Sequence, residues 1–449
     1  MSDTTRTAET LGTDVAADAT GSGGTGPVPR TGRGRALAGR TFSSLQVPNY
    51  RRFFTGMAVS ATGQWLQLVA QGWLVLQLTG SGVALGTVTA LQFLPVLLGG
   101  AWGGVLADRL DKRKLLAVTQ TVAGALALIL AIATVADLAT IGLVYVMAFA
   151  LGCVNAVDNP ARRSFIAELV PAENITNAVS LNTTVMTSSR IVGPALAGVI
   201  IGAVGIAACF FLNAVSFLAV LVALWRIRPA ELHTVPPQRR APRQVRDGMR
   251  YAAGVPDVRV ALIMTGVIST MAFNYQVVVP LLAERTFGGD ATTFGLLLSA
   301  TSVGSLLGAL FTAGRGTIGV GFLVVSAAAF GTAMTVAGLA PTLALAFVLV
   351  VPMGGAGAAF VSGANSLLQI ATAPEYRGRV MALYTVVFLG STPIGGPIVG
   401  AIAEAFGPRW GFIVGGLTTI AVAAVVALSR ARRGALGAPA AASASPAPA

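Results

Sequence analysis

Apolar runs of about 20 residues recur along the whole chain, and at about 1.5 Å of helical rise per residue each can cross the hydrocarbon core of a bilayer. No soluble domain of 449 residues needs so many. Charged residues make up only 10% of the sequence, against roughly 25% in soluble domains. Twelve helices are predicted, at 53–78, 82–107, 114–136, 140–167, 175–202, 204–227, 258–282, 291–313, 318–339, 342–369, 378–403 and 410–430. The fold class is therefore all-α integral membrane protein.

The net charge of +13 would point to nucleic acid in a soluble chain, but here the basic residues punctuate apolar segments. Loops facing the cytoplasm retain Lys and Arg. If both termini are cytoplasmic, 27 of the 30 basic residues fall on that side, leaving Arg285 and Arg409 outside and Arg190 within a span. An even number of spans requires the two ends to share a side, so charge and count agree. Residues 1–45, rich in Gly, Thr, Ala and Ser, read as a disordered tail and not as a cleaved signal peptide. Residues 431–449 read as a second tail. Cys153 and Cys209 both lie in apolar segments and imply no disulfide framework. Lysine occurs only at 112 and 114, a bias that points to a GC-rich bacterial genome.

The chain also repeats itself. "VPNYRRFF" (47–54) precedes the first span and "VPDVRVAL" (255–262) the seventh, an offset of 208. Gly193-Pro194 matches Gly396-Pro397 at an offset of 203, which also places Pro171 on Pro374 and Gly152 on Gly355. Two pseudo-symmetric six-helix halves follow, 46–227 and 257–430, joined by a cytoplasmic linker over 228–256. Parallel repeats of this kind suit a carrier that rocks two halves around a site near the midplane. Within the linker, "RDGMRYAAGV" is either a short basic helix on the anionic leaflet or a solvated charged loop.

Between the second and third spans stands "GGVLADRLDKRKLL" (103–116), an abrupt concentration of charge. It resembles the Gly-x-x-x-Asp-Arg-x-Gly-Arg-Lys/Arg loop of the major facilitator superfamily, and the resemblance extends over about 45–430. Gly104, Asp108, Arg109, Lys112 and Arg113 match that pattern. Asp111 stands where the pattern has glycine, a residue that permits a tight turn with positive φ. The resemblance implies that the loop latches the cytoplasmic side, with Asp108 facing the N-terminus of the eleventh helix near Gly378 and Arg379, where negative charge is favoured. Gly104 would let its helix approach a neighbour closely. The plain alternative is that these charges only anchor topology.

The stretches 158–198, 273–289 and 374–384 further resemble bacterial exporters of the enterobactin-exporter and macrolide-efflux type, drug–proton antiporters within that superfamily. Gly193, Pro194 and Gly198 resemble the fifth-helix motif of antiporters. Pro194 removes a backbone donor and bends the helix, and its small neighbours allow close packing.

Neither lysine follows a glycine, so a phosphate-binding loop is absent and energy must come from a gradient. Ionisable groups inside a membrane are costly and commonly functional. Asp158 in the fourth helix and Arg190 in the fifth lie about one turn apart in depth. They are read either as a switchable proton-coupling pair or as a structural salt bridge. Asn155, Asp158, Asn159 and Arg162 share one helical face. Glu404 is a weaker proton candidate, near the outer end of the eleventh helix.

In the superfamily, helices one, four, seven and ten line the cavity. On this resemblance Gln64, Gln67, Gln71, Asn155, Asn274, Gln276, Asn365 and Gln369 face the substrate, with Trp65 and Trp73 nearby. Amides with aromatics suit a small amphipathic molecule. The implied function is proton-coupled efflux of a drug or siderophore-like compound across the bacterial cytoplasmic membrane, by a monomer without cofactor or metal. Proton, substrate and lipid bilayer are its partners, and nucleic acid is not. Nutrient uptake and a non-transporting scaffold or receptor are the alternatives; no enzyme site is visible, and the single His233 lies in the linker.

Overall fold

The structure is a computed structural model that describes residues 41–233, 244–316 and 318–436. The expected tails at 1–45 and 431–449 lie mostly outside the described residues, as does part of the linker. Among the described residues there is no strand.

The first half comprises α1 (Pro48–Thr79), α2 (Gly82–Arg109), α3 (Lys112–Val135), α4 (Ile141–Leu169), α5 (Ile175–Val204) and α6 (Ile206–Arg226). The second comprises α7 (Pro256–Thr286), α8 (Ala291–Ala313), α9 (Val320–Gly338), α10 (Leu343–Ala371), α11 (Pro374–Phe406) and α12 (Pro408–Leu436). Eleven of these helices are long and apolar enough to cross a membrane by composition alone, and α1 is the exception. Its hydropathy is lowered by Gln64, Gln67 and Gln71, all of which line an internal cavity.

The repeat seen in the sequence is visible in the helix ends. Thr140 caps α4 by accepting from the Leu143 N–H, and Thr342 caps α10 by accepting from that of Leu345. The turns α5–α6 and α11–α12 each pivot on a glycine at positive φ, Gly205 at 99° and Gly407 at 98°. The two glycines aligned at offset 203 do the same work. Gly152 packs α4 onto the α2 backbone at Gln92, and Gly355 packs α10 onto the α8 backbone at Gly304. Without a hydrophobic drive between helices in lipid, such close approaches are what holds them together.

Helix α7 is interrupted. Its first segment ends at Ala272, the chain leaves helical geometry at Phe273 and Asn274, and a second segment begins at Tyr275. The Asn274 side chain donates to the Thr270 carbonyl at 2.7 Å, taking the place a backbone N–H would hold.

The linker segment 244–254 is a helix, and it docks on the start of α11. The Tyr251 and Tyr376 rings stack at 4.3 Å and 11°, and the Tyr251 hydroxyl accepts from the Ala373 N–H at 2.9 Å. His233, in the same linker, is exposed and donates its backbone N–H to Glu168.

The halves meet through α2 against α11 and α5 against α8. Gly82 and Gly86 lie against the carbonyls of Gly400 and Gly396, and Gly198 and Gly295 against Thr292 and Pro194. These contacts gather at the end of the bundle away from the basic loops.

Candidate functional site

A cavity of about 820 Å³ opens between the helices of the first half and runs to the basic end, where Ile166, Val179 and Asn182 border it. Gln64, Gln67, Gln71 and Asn155 line it as expected. Their roles differ. Gln67 is spent on a 2.5 Å bond from Asn213 of α6, while Gln64 donates within its own helix to Ser60. Gln71 is 4% exposed and its Nε2 has no partner. The expected residues of the second half, Asn274, Gln276, Asn365 and Gln369, do not line this cavity. Asn274 is buried in the α7 break, and Gln369 donates to Asn365 at 2.5 Å on a face of α10. Sequence periodicity identifies polar faces but not which cleft each face borders.

Asp158 sits at 1% exposure on the cavity wall. One carboxylate oxygen accepts from Thr119 at 2.7 Å and from Gln120 at 2.8 Å, both on α3. The other pairs with Arg162, one turn along α4. The expected Asp158–Arg190 pair is therefore not formed: Arg162 is closer on the same helix and fills that coordination. Arg190 instead places its guanidinium 5.9 Å over the Trp65 ring of α1. Sequence reasoning misses Thr119 and Gln120, although glutamine and threonine within the apolar α3 are a visible signal.

The charged loop between α2 and α3 is built differently from the family turn. Asp111 has φ −59°, so no left-handed residue is required there. Its carboxylate caps α3 by accepting from the Lys114 N–H at 3.2 Å, a role glycine could not fill. Lys112 pairs with Glu168 at 2.5 Å. Arg113 donates to the last carbonyls of α6, Leu224 at 2.7 Å and Trp225 at 3.1 Å, which suits a cation at a helix C-terminus. Both cations thus tie the loop to its own half. Asp108 and Arg109 are exposed at the end of α2. Gly104 is buried, and its neighbour Gly103 lies against the Ala156 carbonyl of α4. Across the molecule, Gly378 is exposed and Arg379 lies 3.8 Å from Asp247 of the linker helix.

In α5, Gly193 packs on Trp65 and Gly198 on Thr292, with Pro194 inside an unbroken helix. At the far end, Glu404 accepts from the Ser81 hydroxyl and the Val83 N–H, at 2.6 and 3.1 Å. Arg285 donates to the Gly80 carbonyl, so both charged groups join the halves there.

Two six-helix halves that close at one end over an internal polar cavity define a major facilitator superfamily fold, a multi-pass membrane transporter of small molecules. The chain belongs to the transmembrane secretion effector family, whose model matches residues 39–448. It is similar to the staphyloferrin A transporter of Staphylococcus aureus, at 25% identity over 83% of this chain and 94% of that one. The macrolide efflux protein A of Streptococcus pyogenes is also 25% identical, with 83% and 95% covered. The enterobactin exporter EntS of Citrobacter koseri is 24% identical, with 85% and 91% covered. Among solved structures, the nucleoside transporter NupG superposes with a TM-score of 0.68 at 15% identity, covering 86% of this chain and 99% of that one. The D-xylose–proton symporter gives 0.62 at 14%, covering 83% and 96%. Those two likenesses bear on the fold alone.

Proposed function

We propose that this chain exports a small amphipathic molecule across the bacterial cytoplasmic membrane in exchange for protons, with both termini inside, and that the structure is its inward-facing state. The observation that carries this reading is the asymmetry of the two ends. Glycine-lined contacts and the Glu404 and Arg285 bonds shut the end away from the basic loops, while the cavity reaches the basic end. Retained positive charge assigns that open end to the cytoplasm. The names of the efflux relatives support the outward direction.

In this reading Asp158 carries the proton. Its carboxylate is buried beside the substrate space and balanced by Arg162, so protonation releases Arg162 and rearranges α3 against α4. Closure of the cytoplasmic side brings Asp108 and Arg109 to the start of α11 at Gly378 and Arg379. Lys112 and Arg113 hold the loop rigid for that encounter. Accumulation of a macrolide and a siderophore in inverted vesicles under an imposed pH gradient tests the whole reading. Uptake that collapses with the gradient supports it. Uptake that survives the collapse overturns proton exchange, and uptake only into right-side-out vesicles overturns export.

A further inference from the structure

The cavity carries more positive charge than its amides announce. Three guanidinium groups, of Arg162, Arg163 and Arg190, line it against a single carboxylate, that of Asp158, and Arg162 is already paired with it. Arg190 is different in kind. It projects from the middle of α5 into the cavity, and among the described residues its charged group has neither an ion pair nor a hydrogen bond, only the face of Trp65. Arg190 is exposed to the open cavity, so its charge is available there to a solute that brings the missing counter-ion.

One further donor on the wall is also unspent. The Gln71 amide nitrogen, on the same cavity wall, is buried and has no acceptor. Amide nitrogen and guanidinium are both donors. A donor-rich pocket with an unpaired cation and an indole wall matches an anion carried on an apolar or aromatic body. Arginine is well suited to it, since its planar fork can bind a carboxylate edge-on while its face stacks on the ring.

We propose that Arg190 is the substrate-recognition residue of the cavity, that it binds a carboxylate or sulfonate-like group, and that the exported molecules are therefore amphipathic anions. Trp65 holds the guanidinium in place and gives the adjoining apolar part of the substrate a surface, and Gln71 donates to the same molecule nearer the closed end. This rests on the reading that the cavity is a substrate site, and narrows it to one charge class.

The test uses the full chain in lipid nanodiscs, with empty discs subtracted. The probes are 8-anilinonaphthalene-1-sulfonate and its uncharged parent, N-phenyl-1-naphthylamine, whose fluorescence rises on binding. Saturable binding of the sulfonate, weakened about tenfold or more in Arg190→Gln as expected for a lost charge-assisted bond, supports the proposal. The uncharged dye is expected to bind weakly and to change less than about twofold, which also reports an intact cavity. Arg190→Lys keeps charge without the fork and is expected to fall between. Equal binding of the two dyes to the native protein, or unchanged sulfonate binding in Arg190→Gln, overturns it. Competition on the native protein, naphthalene-1-sulfonate against naphthalene-1-sulfonamide, decides the same question without any variant: a clear preference for the sulfonate supports the proposal, and equal competition overturns it. Export of the uncharged dye under a pH gradient, with no preference for the sulfonate, sinks the anion proposal and leaves the exporter reading standing. Sulfonate transport indifferent to the gradient does the reverse.

Discussion

The carboxylate of Glu404, at the end of α11, accepts a 2.6 Å hydrogen bond from Ser81, the residue whose side chain caps α2. One contact therefore both finishes a helix and ties one half of the molecule to the other. Hydrogen bonds to charged groups contribute about 1.5–3 kcal/mol when shielded, and exposure to water at this end reduces that. Glu404→Ala is expected to shift the population toward outward opening by about fivefold, equivalent to roughly 1 kcal/mol. Spin labels at Leu138 and Leu339, exposed in outer loops of opposite halves, report it in a background without Cys153 and Cys209. An unchanged distance distribution would show that Glu404 only caps.

Gly86 faces the Gly396 carbonyl so closely that a Cβ at Gly86 would stand 2.4 Å from its oxygen. No side chain yields there, because the obstacle is backbone. Gly86→Leu is expected to hold the far end apart, so that the protein reaches the membrane yet transports nothing. The same pair of labels should then read a single long distance. Normal transport by this variant would mean that the α2–α11 contact is not needed in the cycle.

Asp158→Asn keeps the acceptor for Thr119 and Gln120 but removes the charge that faces Arg162. Breaking one partner of a buried pair costs more than removing both, up to about 3–5 kcal/mol, so thermal stability should fall and partly return in the double variant with Arg162→Gln. Proton release on substrate binding, followed with a pH indicator in detergent, should vanish in both. Release at the native level in Asp158→Asn would exclude it as the proton carrier and leave a structural salt bridge.

How much of the molecule can be read from the sequence is decided by what periodicity measures. Twelve helices in two sets of six and the polar face of α1 follow from hydropathy and repeats, and the structure has them, eleven of the helices being apolar and long enough to span by composition alone. Asp158 and Arg190 do border one cavity. Rotation between helices is not legible, because nothing in one sequence says which side of α5 faces α4, so the expected pair gives way to Arg162 on α4 itself. Asp111 shows a different limit. Its departure from the family pattern reads as a defect in a turn until the backbone reveals a cap with ordinary φ.

Asp290 caps α8, accepting from the Thr293 N–H at 2.9 Å, and these hydrogen bonds hold its carboxylate below the usual range. A depressed native pKa adds stability above the unfolded value, and that contribution is lost as pH falls through the native one. Asp290→Ala is expected to cost about 0.5–2 kcal/mol at neutral pH and less once the native carboxylate is protonated, when only a neutral acceptor remains. Thermal melts of both proteins from neutral pH down to about pH 3, below the ordinary aspartate value, check this. A gap undiminished in acid would show that the carboxylate's charge contributes nothing to the cap.

The linker helix is held on α11 by a ring stack and a hydrogen bond from Tyr251, beside the longer Arg379–Asp247 pair at 3.8 Å. Stacked aromatic pairs are worth about 0.5–1.5 kcal/mol beyond area, and the hydroxyl adds about 1 kcal/mol. Tyr251→Phe keeps the stack and should loosen the helix little; Tyr251→Ala removes both and should release it. Arg246 and Arg250 lie within the helix itself, so limited trypsin digestion at these two sites reads the release. The Ala variant is expected to be cut roughly tenfold faster than the native chain, in line with an opening equilibrium shifted by about 1.5–2.5 kcal/mol, with the Phe variant between. Equal cutting of all three would place the helix's hold on α11 elsewhere, in the Arg379–Asp247 pair.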